Sequence, residues 1–179
     1  MIKNYLTLVT RLAMAAAVVT VGFSAVASAR AADTTKTKSN LSANDKKFVE
    51  KAYRDGMGEI ANAKVAKEKA KDTTTKDLAE HMISDHSKAN DGLRAIAEEE
   101  HLDLSSIHGQ PMSISGSNFD KEYLTMLQKD HKKEIAMFEK EANDTKRGED
   151  RDVPAFAKKT LPALREHLQM IDDALAKMK

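Results

Sequence analysis

The sequence predicts an all-α protein built as a four-helix bundle, and three observations carry that reading. Aromatic residues make up 4% of the chain, with no Trp, while Ala, Lys, Glu, Asp, Leu and Met dominate; few aromatic or β-branched residues and many helix formers favour helix over strand. Four stretches place apolar residues three or four apart, the spacing of one helix face. Between the second and third stretches lies a long segment rich in Gly, Pro and Ser.

The length of 179 residues suits one domain of ordinary size. Residues 1–29 read as a secretory signal peptide: Lys3 and Arg11 supply positive charge, Leu12–Val26 is small and mostly apolar, and Ala27-Ser28-Ala29 has the small-x-small cleavage pattern. The expected cut follows Ala29, with Ala32 as the alternative, which makes the mature protein periplasmic or secreted if the source is a bacterium. The apolar run falls short of the ~20 residues that span a bilayer, so no transmembrane segment is expected after cleavage. Residues 30–41 are small, polar and without period, and are read as a disordered tether before a bundle over 42–179. Without Lys3 and Arg11 the basic residues number 27 against 28 acidic, with no polybasic block, which argues against a nucleic-acid partner. There is no cysteine, and therefore no disulfide or thiolate ligand.

Ser42 is the expected cap of the first helix, with Asp45 in its first turn. Its inner face is Phe48, Ala52, Gly56, Glu59, Ala63, Ala66 and Ala70. Gly56 and Gly58 each weaken a helix by ~1 kcal/mol relative to Ala, and small residues on this face would let a neighbouring helix approach. The break at Asp72–Thr75 offers caps for a second helix with the face Leu78, Met82, His86, Ala89, Leu93, Ile96, ending near His101. So short a turn makes helices one and two antiparallel neighbours.

The connection Leu102–Gly116 has 15 residues. Extended, these reach roughly 50 Å at ~3.3 Å each, more than the ~40 Å of a 27-residue helix. The connection is thus long enough to run the length of the bundle and leave helices two and three parallel, the single-crossover topology of ferritin-like bundles. Ser117 is the expected cap of helix three, with Asp120 as its third-position partner and the stripe Leu124, Leu127, His131, Ile135, Phe138, Ala142. Asn143–Asp150 reads as a turn. Asp152 is the expected cap of helix four, whose stripe is Phe156, Thr160, Leu164, His167, Ile171, Leu175, Met178; the interior Pro162 removes one backbone hydrogen bond and is expected to kink it.

One polar residue interrupts each apolar stripe at matching depth. Glu59 lies twelve residues before Lys71 and His86 twelve after Thr74, while His131 lies thirteen before Asp144 and His167 fifteen after Asp152. All four therefore belong to one central layer. Three imidazoles and a carboxylate suit a borderline divalent ion such as zinc, iron or manganese. Asp85 and Glu134 adjoin the layer, either as ligands or as acceptors for the histidine N–H groups. Met82 and Met170 add soft sulfur near His86 and His167, which would suit copper(I), although Met more often fills gaps in a core. The other reading of the layer needs no metal: Glu59 pairs with a protonated His86 and fixes register. His81, His101 and His108 stand apart, in that order on an outer face, at a helix end and in the connection. No nucleophile–base pair or phosphate-binding loop is visible, so no catalytic residue is assigned.

The motifs Phe48…Ala52…Glu59-Ile60, Leu78-Ala79-x-x-Met82-x-x-Asp85-His86, Phe119-Asp120-x-x-Tyr123-Leu124…His131 and Phe156-Ala157…Leu161-Pro162-x-Leu164-x-x-His167-Leu168 occur in order on all four helices. Together they resemble the bacterial family named domain of unknown function 4142 over roughly residues 42–177. The resemblance implies an exported, ferritin-like bundle and no particular activity. Members often carry an outer-membrane label, but this chain has no alternating strands of a barrel. It also departs from ferritin-like di-iron proteins, which carry Glu-x-x-His on two helices. Ile83 and Leu164 stand three residues before His86 and His167, and helix three has the reversed order His131-x-x-Glu134. Two functions compete from this stage: a periplasmic bundle holding one divalent ion, and a metal-free envelope or stress protein that works through its surface.

Overall fold

The structure, a computed structural model, describes residues 41–114, 116–144 and 152–178. The expected signal peptide, the tether up to residue 40 and most of the turn before helix four lie outside the described residues. Four helices follow one another: α1 Ala43–Lys69, α2 Thr73–Glu99, α3 Phe119–Ala142 and α4 Asp152–Lys177. They form an all-α four-helix bundle. No helix among the described residues is long and apolar enough to cross a membrane.

Local chemistry accounts for the helix ends. Ser42 Oγ accepts from the Asp45 N–H, and the Asp72 carboxylate accepts from the backbone and hydroxyl of Thr75, so both expected caps are present. Helix three differs. Its cap is Asn118, which accepts from the Lys121 N–H at 3.2 Å. Asp120 instead turns outward from its own helix start and accepts from Lys71 N and Asp72 N, both at 3.1 Å. A buried carboxylate is better satisfied by two N–H groups of the α1–α2 turn than by one N–H of its own helix. Helix four already includes Asp152 as its first residue.

Residue pairs fix the directions. Lys67 meets Glu80, Glu59 meets His86 and Gly56 meets Asn90, so α1 and α2 are antiparallel. Gln128 meets Asp172, His131 meets His167 and Glu139 meets Arg165, so α3 and α4 are antiparallel too. The connection after α2 starts with Leu102, Leu104 and Ile107, which pack in one cluster with Leu41, Phe48 and Val49 at the start of α1. It then passes Gly109 over Met57 and Gly58, gives the Met112 N–H to Asn62 Oδ1 at 2.7 Å, and reaches Asp120 at the end of α1. It runs the length of α1, and α2 and α3 are parallel, as the loop length requires. Leu41 is buried and belongs to this core, although its polar neighbours assign it to the tether.

Two inner stripes are rotated from the sequence reading. On α2, Asn90 and Ala97 are buried while Ala89 and Ile96 sit at the margin; on α4, Val153, Ala157 and Leu161 are buried in place of Phe156 and Thr160. Small residues sit where helices come closest, and their larger neighbours seal the flanks. The core is consequently two apolar clusters, one around Phe48, Leu93, Phe138 and Leu164 and one around Leu78, Met82, Leu124, Leu127 and Ile171. Each fully buried Leu or Ile contributes about 1.5–3 kcal/mol. Between the clusters lies the polar layer.

Candidate metal centre

Each helix delivers its interrupting residue to the same level of the core. Glu59 and Glu134 are 7% exposed, His86 and His167 3%, and His131 0%. The equal-depth expectation for Glu59, His86, His131 and His167 therefore holds as geometry. The four do not surround one point, however. His86, His131 and His167 form one set in which a ring nitrogen of each lies within 4.8 Å of the others. Glu59, His86, His131 and Glu134 form a second set by the same measure. His86 and His131 belong to both, because an imidazole offers two nitrogens on opposite sides of its ring.

On one side, each ring meets an acceptor. His86 Nδ1 lies 3.1 Å from Glu59 Oε2. His131 Nδ1 lies 3.2 Å from the Leu127 carbonyl and 3.3 Å from Glu59 Oε1. His167 Nε2 lies 3.1 Å from Asp85 Oδ2. Asp85 thus touches His167, on the neighbouring helix, rather than His86 beside it in sequence. On the other side, His131 Nε2 and His167 Nδ1 face each other at 3.4 Å, and His86 Nε2 is buried with no hydrogen-bond partner. The ring centroids are 5.4–5.6 Å apart.

Burial controls the charge of this layer. It pushes His86 well below the ordinary histidine range, His131 down to about 4 and His167 downward, with mutual repulsion adding to the first two and Asp85 resisting in the third. All three rings are therefore neutral near pH 7. Burial also raises Glu59 well above a normal carboxyl, helped by the charges of Glu134, Asp130 and Asp55, and lifts Glu134 to about 8. Partial burial works against ionisation of Asp85 as well, but hydrogen bonds from Lys88 and His167 outweigh it and hold that carboxyl low.

Proton positions follow. Ionised Asp85 only accepts, so His167 carries its proton on Nε2. The Leu127 carbonyl only accepts, so that bond requires the His131 proton on Nδ1. Neutral rings then present two lone pairs to each other across 3.4 Å. Two imidazole nitrogens bound to one tetrahedral ion at ~2.0–2.1 Å would lie about 3.3–3.4 Å apart. The His131–His167 pair has that spacing, His86 lies within 4.8 Å of both, and three imidazoles could hold a borderline divalent ion. Orphaned atoms support the fit: Glu134 Oε2, His86 Nε2 and the buried Tyr123 hydroxyl all lack a hydrogen-bond partner. Each such group costs ~1–3 kcal/mol when nothing satisfies it.

Several contributors escape the sequence reading. Tyr123 is buried at 0% exposure and its hydroxyl feels the charge of Glu59, two features visible in sequence only as a place two turns before His131. Asp55 and Asp130 each precede a layer carboxylate by four residues, which stacks Asp55 with Glu59 and Asp130 with Glu134 on their helices. His81, His101 and His108 are exposed and outside both sets. Met82 is buried in the apolar cluster beside Leu78, and Met170 packs against that cluster.

Comparison with known proteins gives one match. The family model described as domain of unknown function (DUF4142) covers residues 28–174. No curated protein and no solved structure matches the chain.

Proposed function

The chain belongs to the DUF4142 family, whose description assigns no chemistry, and from its own side chains we propose that it binds one divalent metal ion in the polar layer of the bundle. The observation that carries this is the pair of neutral ring nitrogens of His131 and His167 facing each other at 3.4 Å. His86, His131 and His167 are the donors. Glu59, the Leu127 carbonyl and Asp85 accept the N–H groups on the far sides of the rings, which orients the rings and raises their basicity. Zinc, iron(II) or manganese suits such a set. Export after cleavage at Ala29 belongs to the same proposal and is supported by the pattern of residues 1–29. An intact mass from a periplasmic fraction beginning at Arg30, or at Asp33, supports it; a mass retaining Met1–Ala29 opposes it.

A second reading is favoured by one specific chain of contacts, Glu59 to His131 to His167 to Asp85, at 3.3, 3.4 and 3.1 Å. A protonated Glu59 would donate to His131, which would donate to His167, which would donate to Asp85. The layer would then be a proton-sharing structural network, and the protein a metal-free one acting through its surface.

Elemental analysis and thermal melting of the purified chain with each ion separate the two. An ion bound only by the folded state at 100 times its Kd adds about 2.7 kcal/mol, roughly 8 °C for a bundle of this size. The shift should vanish in His86→Ala and His167→Ala and survive in His81→Ala. Unchanged melting with zinc, iron(II), manganese and copper near neutral pH would leave only the structural network.

A further inference from the structure

A cleft of about 440 Å³ opens between α1, α3 and the long connection, and Glu59 and Glu134 line it. Both are buried, and Glu134 has one carboxyl oxygen, Oε2, that makes no hydrogen bond. Glu59 also approaches the Nδ1 atoms of His86 and His131. The two glutamates thus stand between the cleft and the imidazoles. None of the three layer histidines lines the cleft itself.

The cleft walls carry charges of both signs, with Lys51, Arg54 and Lys133 beside Asp55 and Asp130. Asp55 and Asp130 line it one helical turn before Glu59 and Glu134. Two lysines on the same walls are already engaged with them, Lys51 with Asp55 at 2.5 Å and Lys133 with Asp130 at 3.0 Å. The connection forms the remaining side with His108, Gln110 and Met112, held down by the Asn62–Met112 bond.

We propose that this cleft is the route by which a divalent ion reaches the three imidazoles, with Glu134 and Glu59 the carboxylates that first take it from water. The proposal rests on the reading that the layer holds such an ion. It explains why the layer has two overlapping donor sets: Glu59, His86, His131 and Glu134 form the outer one and the three histidines the inner one. A hydrated divalent ion gives up its water reluctantly. Two carboxyl groups supply oxygen donors at the threshold, and His86 and His131, which belong to both sets, would pass the ion inward from one ring nitrogen to the other without turning.

Stopped-flow uptake of Co(II) by the full mature chain tests this. Glu134→Gln keeps the shape and leaves an amide in place of a carboxyl that can give up its proton to an arriving ion. Association should slow tenfold or more, while the Co(II) absorption bands at saturation keep their wild-type positions because the inner imidazoles are unchanged. The double variant Asp55→Asn/Asp130→Asn, at half-buried positions that no packing depends on, should slow association at least threefold if Glu134→Gln does not fold. Wild-type association rates in the folded variants would overturn the route while leaving the inner site standing. No Co(II) uptake by the wild-type chain would instead overturn the reading on which the route depends.

Discussion

His131 Nε2 and His167 Nδ1, from α3 and α4, point at each other across 3.4 Å in the centre of the core, and each ring has its other nitrogen committed to an acceptor. In water two imidazoles would rotate or protonate to avoid this. Here packing prevents rotation and burial opposes protonation. What relieves the pair is a cation between them or a reversed tautomer of His131, and the two relieve it at different cost. The reversed tautomer turns a lone pair toward the Leu127 carbonyl, with the proton that burial keeps on Glu59 available to face it. The cation needs no tautomer change.

Asp85→Asn probes the acceptor behind His167. The amide oxygen still accepts from Nε2–H, but the negative charge is lost. Metal affinity should fall about 10–100-fold, the usual cost of losing such a partner. Melting of the metal-free protein should change little, because Asp85 is a third exposed and its ion pair with Lys88 is screened. Isothermal titration of both proteins with zinc checks this; equal affinity would mean that Asp85 does not orient the ring.

Stability of the metal-free protein should fall between pH 6.5 and pH 8. Glu134 titrates at about 8 when folded against 4.5 in a free chain, so the unfolded chain loses that proton first as pH rises. Its stabilisation is full below about 4.5 and is lost as pH climbs toward 8. His131 titrates at about 4 against 6.5, so its contribution is full above 6.5 and is lost as pH falls toward 4. The two oppose each other between 4.5 and 6.5, and above 6.5 Glu134, with the raised Glu59, is no longer opposed by His131, at up to about 1.4 kcal/mol per pH unit per group. Metal-free protein should therefore melt lower at pH 8 than at pH 6.5. Metal held by the three imidazoles should leave this slope in place, because those rings are already neutral at both pH values. Melting curves with chelator and with zinc at both pH values check this; equal melting of the metal-free protein at pH 6.5 and 8 would contradict the assignment of Glu134.

Gly109→Ala should destabilise more than Gly56→Ala. A Cβ on Gly109 would lie 2.2 Å from Gly58 N and 2.3 Å from the Met57 carbonyl carbon, backbone of a helix that cannot shift locally. A Cβ on Gly56 would lie 2.6 Å from Asn90 Oδ1, the end of a side chain that can swing. Alanine also returns ~1 kcal/mol of helix propensity at Gly56 and none at Gly109, which is in the connection. Urea unfolding should place Gly109→Ala at least about 2 kcal/mol below wild type and Gly56→Ala nearer to it. The reverse order would mean that the connection is not pressed against α1.

The bundle was legible because its signals are periodic and local: four stripes, two caps and one connection of sufficient length. The layer was legible because a polar residue at the same depth in four helices is a one-dimensional fact. Its partition was not. Whether His167 joins Glu59 or faces away depends on helix rotation of a few tens of degrees, and α2 and α4 both turn from the stripes their larger residues suggest. The pairing of Asp85 with His167 instead of His86, and of Asp120 with the α1–α2 turn, are long-range bonds that no local pattern encodes. The close approach at Gly58 was assigned to a helix, but the connection fills it, because glycine shows that something comes near and not what.

The end of α2 supplies the last prediction. His101 has φ 53°, the left-handed region, and is the one non-glycine residue there among the described residues. It follows the C-cap Glu100, and Leu102 N–H then reaches back to the Ala97 carbonyl at 2.7 Å. That bond, with Leu102 buried beside Ala97, is the Schellman arrangement, whose left-handed position usually holds glycine. An L side chain in that region costs roughly 1–2 kcal/mol, and the exposed imidazole is in neither donor set. Glycine removes the strain but adds freedom to the unfolded chain. His101→Gly should therefore stabilise by about 0.5–1 kcal/mol and raise the melting temperature by a few degrees. His101→Val, β-branched at positive φ, should lower it. Metal affinity should be the same in both variants, since the turn lies at the end of the bundle and the layer at its middle. A less stable His101→Gly would show that the imidazole itself holds the start of the connection in place.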